Sequence, residues 1–176
     1  GFEPVREAFA RNFAERDEIG AEVAVCHRGE LVVDLIGGHK DEARTQPWDE
    51  DTVVLVYSVS KGMAATAMAL AHSRGLLDYE ATVASYWPEF AQKGKEDVTI
   101  KHVLTHESGF PDTPSHMTWD RWHDWEAAVE AMEQIPLDYK PGRVIAYHPR
   151  NFGWVVGELV RRIDGRPIEQ FVREET

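Results

Sequence analysis

The chain has 176 residues, 43% hydrophobic and 28% charged, a composition that fits one ordinary globular domain rather than a disordered or fibrous chain. A formal net charge of −12 repels phosphate polyanions, so nucleic acid is not an expected partner. No run reaches the roughly 18 apolar residues of a membrane span, and Cys26, the only cysteine, excludes an internal disulfide and a thiolate metal cage. A reducing compartment, the cytoplasm, is the expectation. Gly1-Phe-Glu-Pro carries neither the basic nor the apolar region of a signal peptide, although a start without methionine is also what a trimmed leader leaves.

Phe2, Val5, Phe9 and Phe13 recur at helical spacing with Pro4 tolerable in a first turn, which predicts an amphipathic helix over residues 2–16. A hairpin is expected next, with strands Ala21 to His27 and Leu31 to Ile36 joined through Arg28-Gly29 and ended by Gly37-Gly38. After a polar loop from Lys40 to Asp51, Val53 to Val56 is short and β-branched, and Ser60 to Arg74 is alanine-rich with Gly75 where a helix ends. Thr99 to Glu107 reads as a short capped helix and Trp119 to Gln134 as a longer one stopped by Pro136. The strongest helical pattern comes last: Phe152, Val155, Val156, Leu159, Val160 and Ile163 fall on one stripe, Pro149 suits the first helical position and Gly165 follows the end. The implied architecture is two or three strands near the N-terminus followed by a mostly helical remainder.

Ser58 and Lys61 stand three residues apart at the entrance to the alanine-rich helix, so they share one face about one turn from each other. A lone S-x-x-K is common; its position at a helix start, where backbone N–H groups stabilise an alkoxide or an oxyanion, carries the weight. Lys61 accepts a hydroxyl proton only in its neutral form. Gly62, Met63, Ala64 and Ala65 supply an apolar wall, and no carboxylate lies within one helical turn to hold the ammonium. The competing reading makes Ser58 an N-cap and Lys61 a solvated side chain.

Tyr57-Ser58-Val59-Ser60-Lys61, Val103-Leu104-Thr105-His106-Glu107-Ser108-Gly109-Phe110 and Pro141-Gly142-Arg-Val-Ile-Ala-Tyr147-His148 together resemble the serine β-lactamase and penicillin-binding-protein-like superfamily, most closely its class C and carboxylesterase branch. The resemblance implies an α+β, β-lactamase-like fold: an antiparallel sheet with flanking helices plus a mostly helical subdomain. It also implies an acyl-serine mechanism in which Ser58 attacks an ester or amide carbonyl, Lys61 accepts or relays its proton, and Tyr147 acts as second base and later activates water. No metal or organic cofactor is implied. An aromatic staple ahead of the last helix is the alternative reading of Tyr147.

Two departures from the family pattern shape the expectation. Where members that cleave β-lactams or cell-wall peptides usually carry Tyr-x-Asn, the third position here is Pro149, which offers no side-chain amide, and Asn151 lies two residues further on. Tyr-His followed by a Gly-Trp helix looks more like the carboxylesterases. The family's later Lys/His-x-Gly strand, source of one oxyanion donor, has no counterpart after Glu169. The expectation is therefore that residues 1–176 are the N-terminal part of a single domain whose C-terminal strands are missing, and that the chain alone is incomplete or inactive.

Other signals point less far. His102 and His106 have a chelating i, i+4 spacing but lack the glutamate of His-Glu-x-x-His and a third ligand, so hydrogen-bonding roles are favoured. Trp119, Trp122 and Trp125 recur every third residue and fit an acyl pocket or ordinary helix packing equally well. Neither Gly-x-Ser-x-Gly nor a phosphate-binding glycine loop occurs. The reading that results is a serine hydrolase of small carboxylic esters. Its alternatives are a β-lactamase or D-alanyl-D-alanine carboxypeptidase, and a decayed binding or scaffold protein of the same fold. The oligomeric state stays open.

Overall fold

The N-terminal phenylalanine spacing forms the helix it predicts: in a computed structural model that describes residues 1–176, α1 spans Glu3–Glu15 with Pro4 in its first turn. Backbone contacts divide the chain into two units, Gly1–Leu55 and Val56–Thr176.

In the first unit, β1 (Gly20–His27) and β2 (Glu30–Gly38) form a two-stranded antiparallel sheet, in register from Gly20 opposite Gly38 to His27 opposite Glu30, with an irregularity at Val25/Cys26. Arg28 and Gly29 both take positive φ, 55° and 84°, the left-handed pair that a tight hairpin turn requires. Phe9 and Phe13 meet edge to face at 5.1 Å between centroids. Gly37 lets them close on β2, because a Cβ there would stand 3.0 Å from both rings. Only Val33 is buried in this unit. The possible third strand does not form: Val53 to Val56 have no strand to pair with and remain irregular and exposed.

The second unit is helical. It contains α2 (Ser60–Ser73), α3 (Ile100–Leu104), α4 (Trp125–Gln134), α5 (Asn151–Asp164) and α6 (Ile168–Glu175), with 3-10 turns between α2 and α3. The stripe predicted for α5 is its core face: Phe152, Val155, Val156, Leu159 and Val160 are buried, and the helix packs against α2, α3, α4 and α6. Each fully buried valine or leucine contributes about 1.5–3 kcal/mol relative to exposure. Gly165 ends α5 in the left-handed conformation, φ 91°. Gly157 permits the crossing with α4, since a Cβ there would come within 2.5 Å of the Trp125 ring.

Three boundaries differ from the sequence expectation. The helix predicted over 119–134 begins only at Trp125, because Asp124 is extended and its side chain accepts the Ala127 N–H at 3.1 Å, starting a new helix after a short 3-10 turn. The last long helix starts at Asn151 rather than Pro149, and α6 follows Pro167 unannounced. The short helix over 99–107 shrinks to Ile100–Leu104, with Thr99 and His102 satisfying each other's backbone N–H groups.

Lys95 is fully buried and anchors the end of α4. Its ammonium donates to the carbonyls of Gln92, Glu133 and Ile135 at 2.8, 2.8 and 2.7 Å. Burial, helped by the nearby charge of Lys93, pulls its pKa down to about 8, and the negative charges of Glu133 and Glu96 work in the opposite direction. Lys95→Met removes all three donors and strands buried acceptors, so urea unfolding is expected to show a loss of about 2–4 kcal/mol.

Candidate active site

The serine at the junction sits on a turn made taut by the residue before it. Tyr57 is a non-glycine with φ 43°, close to the left-handed region, and the 3-10 turn Tyr57–Val59 runs directly into α2. Ser60 Oγ donates to the Tyr57 carbonyl at 2.5 Å and Val59 N–H to the Val56 carbonyl at 3.0 Å, which hold the turn. Ser58 thus stands just ahead of α2 and Lys61 one turn in. Lys61 Nζ donates to Ser58 Oγ at 3.2 Å.

Tyr147 comes from the loop ahead of α5, 89 positions along the chain, and its Oη lies 2.5 Å from Ser58 Oγ. That loop is sewn to the segment after α3. Gly142 N–H donates to the Glu107 carbonyl at 2.9 Å, Ala146 N–H to the His106 carbonyl at 3.0 Å, and His148 N–H to His106 Nδ1 at 3.2 Å. The buried His148 ring meets buried Ser108, Nε2 to Oγ, at 2.7 Å. Lys61 closes the arrangement by donating to the Pro149 carbonyl at 2.8 Å, tying α2 to the residue two after the tyrosine.

The electrostatics follow from this geometry. Hydrogen bonding from Lys61, then from Ser58, holds the Tyr147 phenol below its usual pKa, and the positive charge of Lys61 adds to the effect. Lys61 Nζ also lies 4.8 Å from the centre of the Tyr147 ring and 5.9 Å from that of Phe152. A hydroxyl, an amine and an acidified phenol in mutual contact can pass one proton among them, and their titrations are coupled. Beside them lies an open groove of about 440 Å³, its apolar wall made by Met63, Ala64, Phe152, Ile168 and Val172.

All three residues singled out in the sequence therefore meet. Others do not join them. Asn151 is buried and its Nδ2 donates to the carbonyls of Phe110 and Asp112 at 2.8 and 2.9 Å, so this amide is spent on holding the loop after Gly109. His102 caps α3 while His106 braces the tyrosine loop, and no cluster of three metal-ligating residues occurs. The tryptophans do not line the groove together: Trp125 Nε1 donates to Glu158 at 3.0 Å, Trp122 lies 3.6 Å under the Arg150 guanidinium, and Trp119 packs edge to face on Trp122 at 4.7 Å while staying 70% exposed. Sequence reasoning missed His148 and Ser108, although both stand inside the segments that flagged the site.

Residues 5–176 match the beta-lactamase family. The chain belongs to that family. It is 37% identical to the esterase/beta-lactamase LipL of Mycobacterium tuberculosis over 99% of its own length and 40% of that protein's. Among solved structures it is similar to a family VIII carboxylesterase, with a TM-score of 0.93 and 39% identity over 99% of this chain and 48% of the other. A penicillin-binding-protein homologue from Caulobacter crescentus superposes with a TM-score of 0.91 and 39% identity, covering 99% of this chain and 47% of that one. The α+β fold expected from the sequence is therefore that of β-lactamase-like proteins, and the chain spans about half the length of these relatives.

The cause of the Tyr147 shift can be checked directly. Spectrophotometric titration at the phenolate band is expected to show a tyrosine ionising below the ordinary value of about 10, absent in Tyr147→Phe and moved upward in Lys61→Met.

Proposed function

We propose that the protein is a serine hydrolase that cleaves small carboxylic esters through an acyl-serine intermediate. The observation that carries this reading is the 2.5 Å approach of Tyr147 Oη to Ser58 Oγ with Lys61 Nζ 3.2 Å from the same oxygen. In the phenolate form, Tyr147 takes the Ser58 proton as Oγ bonds to the carbonyl carbon, and returns it to the leaving alkoxide as the ester C–O bond breaks. Water then repeats the sequence: its proton goes to Tyr147, its oxygen bonds to the acyl carbon, and Ser58 leaves with the proton. Lys61 balances the phenolate throughout. The shorter contact and the lowered phenol pKa favour Tyr147 over Lys61 as the immediate acceptor.

Esters rank above β-lactams for a reason local to the loop. The position that would offer a side-chain amide is Pro149, and its carbonyl is engaged by Lys61. The apolar groove beside Lys61 suits a short acyl chain. The relatives' names support both chemistries, with LipL carrying esterase and beta-lactamase together.

The test uses the whole protein with a p-nitrophenyl ester and a chromogenic cephalosporin. Turnover of the ester is expected to dominate; preferred cephalosporin turnover would move the reading to β-lactam hydrolysis. Ser58→Ala is expected to lose about 10⁴-fold or more in kcat, and Tyr147→Phe about 10²–10⁴-fold. A Ser58→Ala protein with undiminished turnover removes the serine from the chemistry.

A further inference from the structure

His106 touches the tyrosine loop in three ways at once. Its carbonyl accepts the Ala146 N–H at 3.0 Å, its Nδ1 accepts the His148 N–H at 3.2 Å, and its ring packs on Tyr147 at 4.9 Å between centroids. The two N–H groups belong to the residues on either side of Tyr147. One residue therefore holds the chain just before the phenol, at the Ile145–Ala146 peptide, and just after it, at the Tyr147–His148 peptide.

Its backbone is unusual for that purpose. His106 has φ 62°, in the left-handed region, immediately after α3 ends. The ring is also constrained from behind, stacked on His148 at 5.4 Å and tilted against Phe152 at 5.3 Å. His148 in turn is tethered to Ser108, so the brace is anchored in the buried part of the unit.

We infer that His106 is a positioning residue for Tyr147: the His106 carbonyl and Nδ1 clamp the N–H groups of the residues on either side, Ala146 and His148, so that the phenol oxygen stays within proton-transfer distance of Ser58. This rests on the hydrolase reading above and adds to it the group that aims its base. The clamp dictates a protonation state: Nδ1 must keep its lone pair, so the neutral ring carries its hydrogen on Nε2. Burial, followed by the positive charge of Lys61, lowers the imidazole pKa and keeps the ring neutral at ordinary pH. Misplacing an oriented base by about 1 Å can cost roughly 10²-fold in rate, which sets the scale of the effect.

Two substitutions isolate the acceptor. Asparagine places Oδ1 at the same bond distance from the backbone as Nδ1 and tolerates positive φ; glycine tolerates positive φ and has no acceptor. Both discard the ring, so their difference reports the hydrogen bond to His148. On the whole protein, His106→Gly is expected to lower the rate of Ser58 acylation by a p-nitrophenyl ester roughly 10–100-fold with KM little changed. His106→Asn is expected to recover most of that loss. Wild-type acylation in the folded glycine variant, or an asparagine variant as slow as the glycine one, overturns the proposal. A purely structural role would lower both melting temperatures without separating the two rates.

A readout independent of activity covers the case in which the glycine variant does not fold. The ¹⁵N shifts of the His106 ring in the wild-type protein are expected to show hydrogen on Nε2 and a bare Nδ1; hydrogen on Nδ1 at neutral pH overturns the clamp. If Ser58→Ala keeps its turnover while the ring shows the expected tautomer, the hydrolase reading has failed and the clamp stands as structure alone.

Discussion

The bonds of Lys61 are the constraint on which the candidate site depends. A single ammonium reaches back one helical turn to Ser58 Oγ and across to the Pro149 carbonyl, joining the start of α2 to the loop that delivers Tyr147. The lysine is thereby a fastener as well as a charge beside the serine. It acts on two neighbours: its hydrogen bonding is the largest cause of the lowered Tyr147 phenol pKa, and its charge adds to burial in lowering that of the His106 imidazole. A cation confined in this way favours the phenolate and disfavours a charged imidazole within the same few ångströms.

Around that contact the fold uses buried polar groups as rivets rather than as reagents. Asn151 holds the chain at Phe110 and Asp112, Lys95 caps the end of α4, and Glu158 gathers Arg161, Arg162 and Trp125 on the flank of α5. Burial pushes the Glu158 carboxyl up, but hydrogen bonds from the two arginines and the tryptophan outweigh it and keep the group below the usual carboxylate range. These groups are expensive to desolvate and are stable only because nearly all their donors and acceptors are matched. What they secure is loop geometry. The tyrosine loop has no regular secondary structure of its own, so its placement depends on such side-chain bonds and on the clamp from the α3 side.

How much of this was legible in the sequence depended on distance along the chain. The phenylalanine stripe of α1, the Arg28-Gly29 turn and the core face of α5 are local periodicities, and each formed where the spacing placed it. The failures were competitions between local signals: Asp124 capped a new helix where the tryptophan spacing suggested a continuous one, and Pro149 was drawn out of the helix start and its carbonyl given to Lys61. Lys95 was invisible because a lone lysine in a polar stretch carries no sign that three carbonyls will surround it. Ser58 and Lys61 lie one turn apart, so their contact followed from spacing alone. No periodicity links either of them to Tyr147, whose arrival came only through the family resemblance, and the hydrogen-bonding role favoured for His106 over metal ligation is the one it has, although nothing in the spacing named that tyrosine's neighbours as its partners.

The same local geometry bears on why the proposed reading ranks an ester above an amide. Acyl transfer from an ester expels an alkoxide that needs one proton as the bond breaks, and one acid–base group beside the serine can deliver it. Amide cleavage demands more: the nitrogen must be protonated before it leaves, and the less electrophilic carbonyl gains more from extra hydrogen-bond donors. A side-chain amide two residues after the tyrosine would be such a donor. Here proline occupies that position, its carbonyl faces the lysine, and Asn151 is turned toward Phe110 and Asp112. The polar groups of this stretch are taken up with holding the chain itself, around Phe110, Asp112 and the tyrosine loop, rather than with gripping a substrate carbonyl.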